Sequence, residues 1–429
     1  MPRLKRLREA LSAYWVIGLA LLFFALLPVG RQIEIPLSIF FLSLAFLAAR
    51  AERRRQIRAA AGFVLPLFLC VWIPMLISSF DSLDPGKSWW HTLPSLRFLP
   101  AALAVAALLH GGQSLAIFQR LMCWLLLLWA ADGYFQLAFG RDLFGIPMHE
   151  NRLNALFHDS YFSYGPTLAL LSSLAIDHMR RRWPGFAWLF GFAFILGAVF
   201  ISGMRSAWVM MLVVMGAFML STLRERGRRV QALILPAAAA ATLALAVLAS
   251  PLLQERLKLT SLVKLGTEQA LDEASSYRLP IFQHALSMYL DHPVNGIGVR
   301  AMREAYPMYA EPDDPHILDN PDKNRGHQAH NIVLEFMADT GTIGLIGLIA
   351  AFAFTFRYWR GLGRSQRDRA FPYAVSLLAI AFPLNSYFAI FGVYMMSITW
   401  MMVGLMAAAA MPATPSPAGG GGDQVSPRR

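Results

Sequence analysis

The stretch Gly326–Gly347, GHQAHNIVLEFMADTGTIGLIG, changes character halfway along. Its first part is polar, with His327, His330, Asn331 and Glu335. Its second part holds Gly341, Gly344 and Gly347 and runs into a long apolar segment. Read as a helix from about Ala329, the 3.6-residue period puts His330, Leu334, Met337, Gly341 and Gly344 on one face. The polar end then sits at a membrane surface and the glycine end inside the bilayer. Small residues at this spacing let a second helix approach closely. A ring that carries a proton near neutral pH, held at the mouth of a membrane helix, is a candidate catalytic element. The same ring also serves as a plain anchor of a helix end, and residue type alone leaves both readings open.

The rest of the chain supports the membrane reading. Of 429 residues, 56% are hydrophobic and only 15% are charged, far fewer than a soluble protein of this size carries. Apolar stretches of roughly 18–22 residues recur along almost the whole length, the pattern of a polytopic helical membrane protein. The net charge of +12 would suit a nucleic-acid partner, but the positive residues cluster at the ends of the apolar stretches, so membrane topology explains most of them. The two cysteines, Cys70 and Cys123, fall inside predicted spans and imply neither a disulfide framework nor a thiolate metal site.

Taken in order, the predicted spans are about 11–29, 35–49, 60–79, 95–110, 115–138, 161–178, 185–202, 206–223, 230–250, 330–357, 371–390 and 392–411. The fold class is thus an all-α polytopic membrane protein with about twelve transmembrane helices. Arg3–Arg8, Arg50–Arg58, Arg180–Arg182, Arg224–Arg229 and Arg357–Arg369 all fall on one side, which the positive-inside rule makes cytoplasmic, with both termini. The first apolar segment reads as a retained span. The organisation is residues 1–250 with nine helices, a mostly hydrophilic 251–328 segment outside as a helical domain, residues 329–412 with three more helices, and a Pro/Gly-rich 413–429 tail predicted to be disordered.

Several polar features converge on the outer side. Arg205 interrupts an apolar-rich region, where a charge is costly enough to need a partner or a task; snorkelling to headgroups is the plainer explanation. Arg152 lies in ENRLNALFHDS, and Arg278 in SSYRLPIFQHAL. Guanidinium groups bind diphosphate oxygens in a bidentate way and stay charged at any relevant pH. Three on one side would hold a lipid-linked pyrophosphate, though each singly fits a salt bridge or a solvated charge. The acidic loop 311–324 fits no EF-hand or zinc spacing. No P-loop, GxGxxG, GxSxG or HExxH motif occurs, which leaves nucleotide-driven pumping and serine or zinc hydrolysis without support.

These residues resemble a known family. His330-Asn331, nine residues, then Gly341-Thr342-Ile343-Gly344 is similar to the H-[N/S/Q]-x9-G-x-x-G motif of bacterial O-antigen ligases. Tyr277-Arg278 followed by His292-Pro293-Val294-Asn295-Gly296-Ile297-Gly298 resembles the stretch upstream of it. Ser202-Gly203-Met204-Arg205-Ser206-Ala207-Trp208 resembles the family's S-R-[G/S]-A-W turn. Arg152-Leu153-Asn154-Ala155-Leu156-Phe157 resembles its R-L-x-G-x-F segment, with Ala155 in place of Gly. The resemblance implies a glycosyltransferase of the GT-C membrane architecture in a Gram-negative inner membrane, its active site facing the periplasm. It would move O-antigen polysaccharide from undecaprenyl diphosphate to lipid A–core, needing no metal and no nucleotide cofactor. On that reading His330 is the general base, Arg205, Arg278 and Arg152 bind the donor diphosphate, and Asn331 or Glu335 orients the histidine. His327 and Arg325 would touch acidic groups of the acceptor. An O-antigen polymerase or a protein O-oligosaccharyltransferase of the same superfamily shares the donor. A lipid-linked oligosaccharide transporter is the reading from a different class, and it calls for charges at mid-membrane and paired broken helices.

Overall fold

The computed structural model describes residues 2–110, 112–148, 153–157, 163–184, 186–224, 229–250, 253–254, 257–258, 278–311, 314–318, 327–385 and 389–412. Among these residues the protein is almost wholly helical; the only strand-like feature is an isolated bridge between Arg141 and Pro147. Among the described residues fourteen α-helices of eleven residues or more form the bundle. In chain order they are α1 (Pro2–Ala25), α2 (Glu34–Ala48), α3 (Ala51–Phe80), α4 (Pro85–Ser95), α5 (Phe98–Leu109), α6 (Gly112–Phe139) and α7 (Tyr164–Arg182). Then come α8 (Ala187–Ile201), α9 (Arg205–Leu223), α10 (Arg229–Ala249), α11 (Arg278–Asp291), α12 (Ile332–Gly361), α13 (Arg364–Ala381) and α14 (Val393–Ala410).

Among the described residues seven segments are long and apolar enough to cross a membrane: Leu27–Ala48, Ala51–Phe80, Pro85–Leu109, Gly112–Phe139, Arg205–Leu223, Ile332–Gly361 and Val393–Ala410. The protein is therefore a polytopic membrane protein. The other predicted spans correspond to helices that are shorter or more polar, such as Ala187–Ile201 and Leu233–Leu248. In α14 nearly every residue from Met395 to Ala410 is buried, which fits a helix at the centre and not at the rim.

The register of α3 against α12 sets the frame for the site. Phe63 stacks on Tyr358 with ring centroids 4.3 Å apart. Further along, a Cβ on Gly347 would lie 2.9 Å from Pro74 Cγ, so the two backbones approach closely there, as the small-residue reading expects. At the far end the Ser78 hydroxyl donates to the Asp339 carbonyl (2.5 Å). The helices run antiparallel, and the start of α12 lies at the Phe80 end of α3.

The opposite end gathers the arginines. Arg181 at the end of α7 donates to the Asp368 carbonyl of α13 (2.8 Å), and Arg180 lies over the Phe218 ring of α9. Arg369 donates to Ala409 and Met411 carbonyls at the end of α14 (3.1 and 3.0 Å). Helix C-termini leave carbonyls without intrahelical partners, and cations satisfy them. The arginine clusters therefore cap one end of the bundle, and His330 lies at the other.

One expectation fails here for a local reason. The predicted span 371–390 stops at Ala381: Phe382 is extended because Pro383 follows and excludes the helical region for its neighbour. Gly392 then precedes α14 as its N-cap. Trp89, Trp90 and His91 lie on a helix of their own, α4, which Asp84 caps by accepting from the Lys87 N–H (3.0 Å). The tail from 413 and most of 251–277 lie outside the described residues.

Candidate active site

The apolar run opening at Ile332 is not one helix. Gly341 has φ 64° and ψ −159°, a backbone conformation open essentially to glycine alone, and it breaks α12 in its second turn and a half. A break inside a membrane segment frees backbone groups that must be paired within the protein. The segment Pro293–Gly298 does this. The Ile297 and Gly298 N–H groups donate to the carbonyls of Ala338 and Asp339 (2.9 and 3.1 Å). In return the Pro293 and Val294 carbonyls accept from Thr342 and Ile343 N–H (2.8 and 3.1 Å). The Thr342 hydroxyl also donates to Pro293 O (2.7 Å) and meets the Tyr289 hydroxyl (3.0 Å). Two of the motifs singled out in sequence thus form one clasp.

The clasp admits no side chain. A Cβ on Gly296 would lie 2.5 Å from the Asp339 carbonyl carbon, and one on Gly341 would lie 2.5 Å from that of Val294. Behind it Asp339, fully buried, accepts from the Arg300 N–H (2.8 Å).

His330 precedes this element; it is not part of it. The helix begins at Ile332, and His330 has φ 48°, left-handed for a residue with a Cβ. The one-face grouping of His330 with Gly341 therefore does not hold, since neither residue is helical. Asn331 is the N-cap: its Oδ1 accepts from Val333 and Leu334 N–H (3.0 and 3.2 Å), and its Nδ2 donates to Pro383 O (2.8 Å). Glu335 is buried, and its two oxygens accept from Ile390 and Phe391 N–H (2.7 and 3.2 Å). Asn331 thus ties the helix start to the residues just after α13, and Glu335 ties it to those just before α14.

Arg205 and Arg278 each open a helix, α9 and α11. Burial, and after it the positive charge of Arg205, lowers the pKa of Arg278. The two guanidiniums therefore lie within electrostatic reach of each other and remain charged. Arg152 and Arg325 lie outside the described residues. The neighbouring segment 153–157 is anchored by Gln136 of α6, whose Oε1 accepts from Asn154 and Ala155 N–H (3.0 and 2.9 Å). Ala155 has φ 45°, which gives a physical reason for glycine in the family pattern at that position. Asp132 accepts from the Leu143 N–H in the loop after α6 (2.8 Å).

His327 lies edge-on to His316 with centroids 4.6 Å apart. Its pKa falls to about 4, first through burial of the ring and then through the charges of His316 and Arg303. Asp314 pairs with His284 (2.9 Å), accepts from the Tyr306 hydroxyl (3.1 Å) and from the His316 N–H (2.7 Å). Among the described residues no group of three metal-ligating side chains forms.

Three polar residues near the site carry no sequence signal. Arg300 (φ 63°) follows the clasp, and Asp339 lies behind it. Gln328 is buried two residues before His330, with neither amide atom hydrogen-bonded among the described residues. Ala155, Arg300 and His330 are the described non-glycine residues with positive φ, and all lie in connections at this end of the bundle. Such conformations persist where surrounding structure imposes them, most often at functional sites.

Residues 190–349, from within α8 to within α12, match the family described as O-antigen ligase. The match includes Arg205, Arg278, the whole clasp and His330. No curated protein matches the chain.

Proposed function

We propose that this membrane protein, whose residues 190–349 belong to the O-antigen ligase family, transfers O-antigen polysaccharide from undecaprenyl diphosphate to a sugar hydroxyl of lipid A–core. The observation that carries the reading is the company His330 keeps. It sits in a strained backbone conformation on a capped helix start, at the same end of the bundle as the Arg205–Arg278 pair. A base at the same end of the bundle as these two cations suits a reaction in which a proton leaves the acceptor while a diphosphate leaves the donor.

His330 takes the proton from the acceptor hydroxyl as that oxygen attacks the anomeric carbon. The bond from that carbon to the diphosphate breaks, and attack from the opposite face inverts the centre. Arg205 and Arg278, with Arg152, stabilise the charge on the departing diphosphate. Asn331 and Glu335 fix the backbone that carries His330; contact with acidic groups of the acceptor is the role assigned to His327 and Arg325. The GT-C architecture, the twelve-span count, the Gram-negative inner membrane, the periplasmic site and the cytoplasmic termini belong to this same reading.

A transporter gains one observation, the broken helix α12 with buried Asp339. Broken helices in transporters leave carbonyls open to an ion. Here the clasp already pairs them, which favours chemistry over passage. Polymerase and protein-oligosaccharyltransferase activities differ only in the acceptor.

The test is ligation by the purified protein in detergent with a chelator present, comparing wild type and His330→Ala. Product from wild type and none from an equally heat-stable variant is expected. Equal product from both removes His330 from the chemistry. Lengthening of the donor glycan without acceptor substitution makes the protein a polymerase.

A further inference from the structure

Outside the arginine pair and the histidine, the same end of the bundle holds a cationic cavity of about 430 Å³. Arg31, from the turn between α1 and α2, Arg97 between α4 and α5, and Arg300 after the clasp all line it. His91 joins them, and Glu34 is the one acidic residue in its wall. Glu34 pairs with Arg97 at 3.5 Å, a long contact between partly exposed groups. Glu335 and Asp339 also act on Arg300 without lining the cavity; Glu335 accepts from the Ile390 and Phe391 N–H groups and Asp339 Oδ2 from the Arg300 N–H, while Asp339 Oδ1 has no hydrogen bond among the described residues. The Nε atoms of Arg97 and Arg300 are buried and make no hydrogen bond among the described residues. Buried donors of this kind are costly without an acceptor, and among the lining residues described the guanidiniums of Arg31, Arg97 and Arg300 outnumber the carboxylate of Glu34.

A second, apolar cavity of about 400 Å³ begins where the first ends, since Phe391 and Met396 line both. It continues along α12 past Phe336 and Phe352, with Leu67 and Trp400 facing them, and its rim residues Phe356 and Leu378 are exposed between α12 and α13. Neither cavity is lined by a residue of α9 or α11, so the Arg205–Arg278 pair is not part of it.

We infer that the two cavities form one binding site for a phosphate-bearing membrane lipid, its phosphate among Arg31, Arg97 and Arg300 and its chain along the α12–α13 groove. Guanidinium groups match phosphate oxygens in bidentate geometry. A charge-lined head chamber that opens into an apolar trough also has the polarity profile of a single amphiphile. The inference rests on the cavities and not on any transfer reaction.

The probe is radiolabelled hexadecyl phosphate, bound at equilibrium to full-length protein in an uncharged detergent. Saturable binding is expected, with hexadecanol and inorganic phosphate each competing at least about tenfold more weakly. Arg31→Gln and Arg97→Gln should each weaken binding by about tenfold, the scale of one charged hydrogen bond. Glu34→Gln should tighten it. Arg31 is exposed, so Arg31→Gln keeps the fold even if Arg97→Gln does not. Competition by hexadecanol equal to the probe shows that charge is irrelevant and overturns the inference, and equal competition by inorganic phosphate does the same for the chain. Unchanged affinity in Arg31→Gln and Arg97→Gln also overturns it. So does loss of binding in Arg205→Gln as large as in Arg97→Gln, which seats the phosphate at the other arginines.

Discussion

At the scale of the residue, the site depends on two glycines that face each other's backbones. Gly341 adopts a conformation closed to other residues, and both Gly341 and Gly296 lie where an added methyl group meets main-chain atoms. Main chain cannot swing aside as the end of a long side chain can. Gly341→Ala therefore combines backbone strain with overpacking, a loss of about 2–4 kcal/mol. Gly296→Ala meets the same wall from the other side, with φ 72°. Both should lower the thermal unfolding midpoint in detergent clearly, whereas Gly216→Ala, with open space around the position, should not. Equal midpoints for Gly341→Ala and Gly216→Ala would mean that the clasp contributes nothing to stability. Gln136 offers a gentler case. Gln136→Leu leaves the buried N–H groups of Asn154 and Ala155 without their acceptor, a cost of about 1–3 kcal/mol for each. If Arg152 binds the donor, that variant should also raise the donor KM more than it lowers kcat, because it loosens the segment that follows Arg152 and leaves His330 alone.

At the scale of the element, α12 was legible in part. Its apolar length and the polar residues at its start mark a membrane helix with a functional mouth, and Gly347 packs against α3 as small-residue spacing suggests. The break at Gly341 was not legible, because a glycine in an apolar run reads equally as a packing surface. Only the partner segment 293–298, far away in sequence, decides between the two readings. The start of the helix was misplaced by three residues for a similar reason: Asn331 is a strong N-cap by residue type, but the periodic pattern runs on through His330. The span predicted at 371–390 ignored Pro383, whose effect on Phe382 ends α13 early. Pro383, just after α13, and Ile390 and Phe391, just before α14, supply the partners of Asn331 and Glu335, so both side chains contribute to the fold. Asn331→Ala removes the cap and the Pro383 contact and should cost about 1 kcal/mol. Asn331→Asp keeps the cap oxygens and should recover most of it. An Asn331→Asp protein as unstable as Asn331→Ala would assign the stability to Pro383 instead. Glu335→Gln leaves one oxygen for two N–H groups, and a destabilisation of about 2 kcal/mol is expected.

At the scale of the whole molecule, the arginine-capped end and the His330 end are chemically unlike. The first is fixed by cations on helix carbonyls. The second is fixed by backbone pairing, caps and a small polar cluster outside the membrane, and that cluster gives the second end its own response to pH. Asp314 is buried, which by itself raises a carboxyl pKa. Hydrogen bonds from His284, the His316 N–H and Tyr306 outweigh burial and hold it below the ordinary carboxylate range. A carboxyl group with a depressed pKa in the folded state stabilises the fold above its unfolded value, about 3.9, and that contribution disappears as pH falls through the folded value. The packing of α11 through His284 should therefore be intact at pH 6 and weaken on acidification below about 4. Asp314→Asn removes the charge at every pH. It should cost about 2 kcal/mol at pH 6, and the gap to wild type should close toward pH 3, read from unfolding midpoints of the two proteins across that range. A gap that stays constant down to pH 3 would show that shape, and not the carboxylate charge, is what Asp314 supplies. The same measurement separates this outer cluster from His330, since a variant at Asp314 that shifts the acid limb of stability while leaving the pH profile of transfer unchanged places the two histidine-bearing regions in different roles.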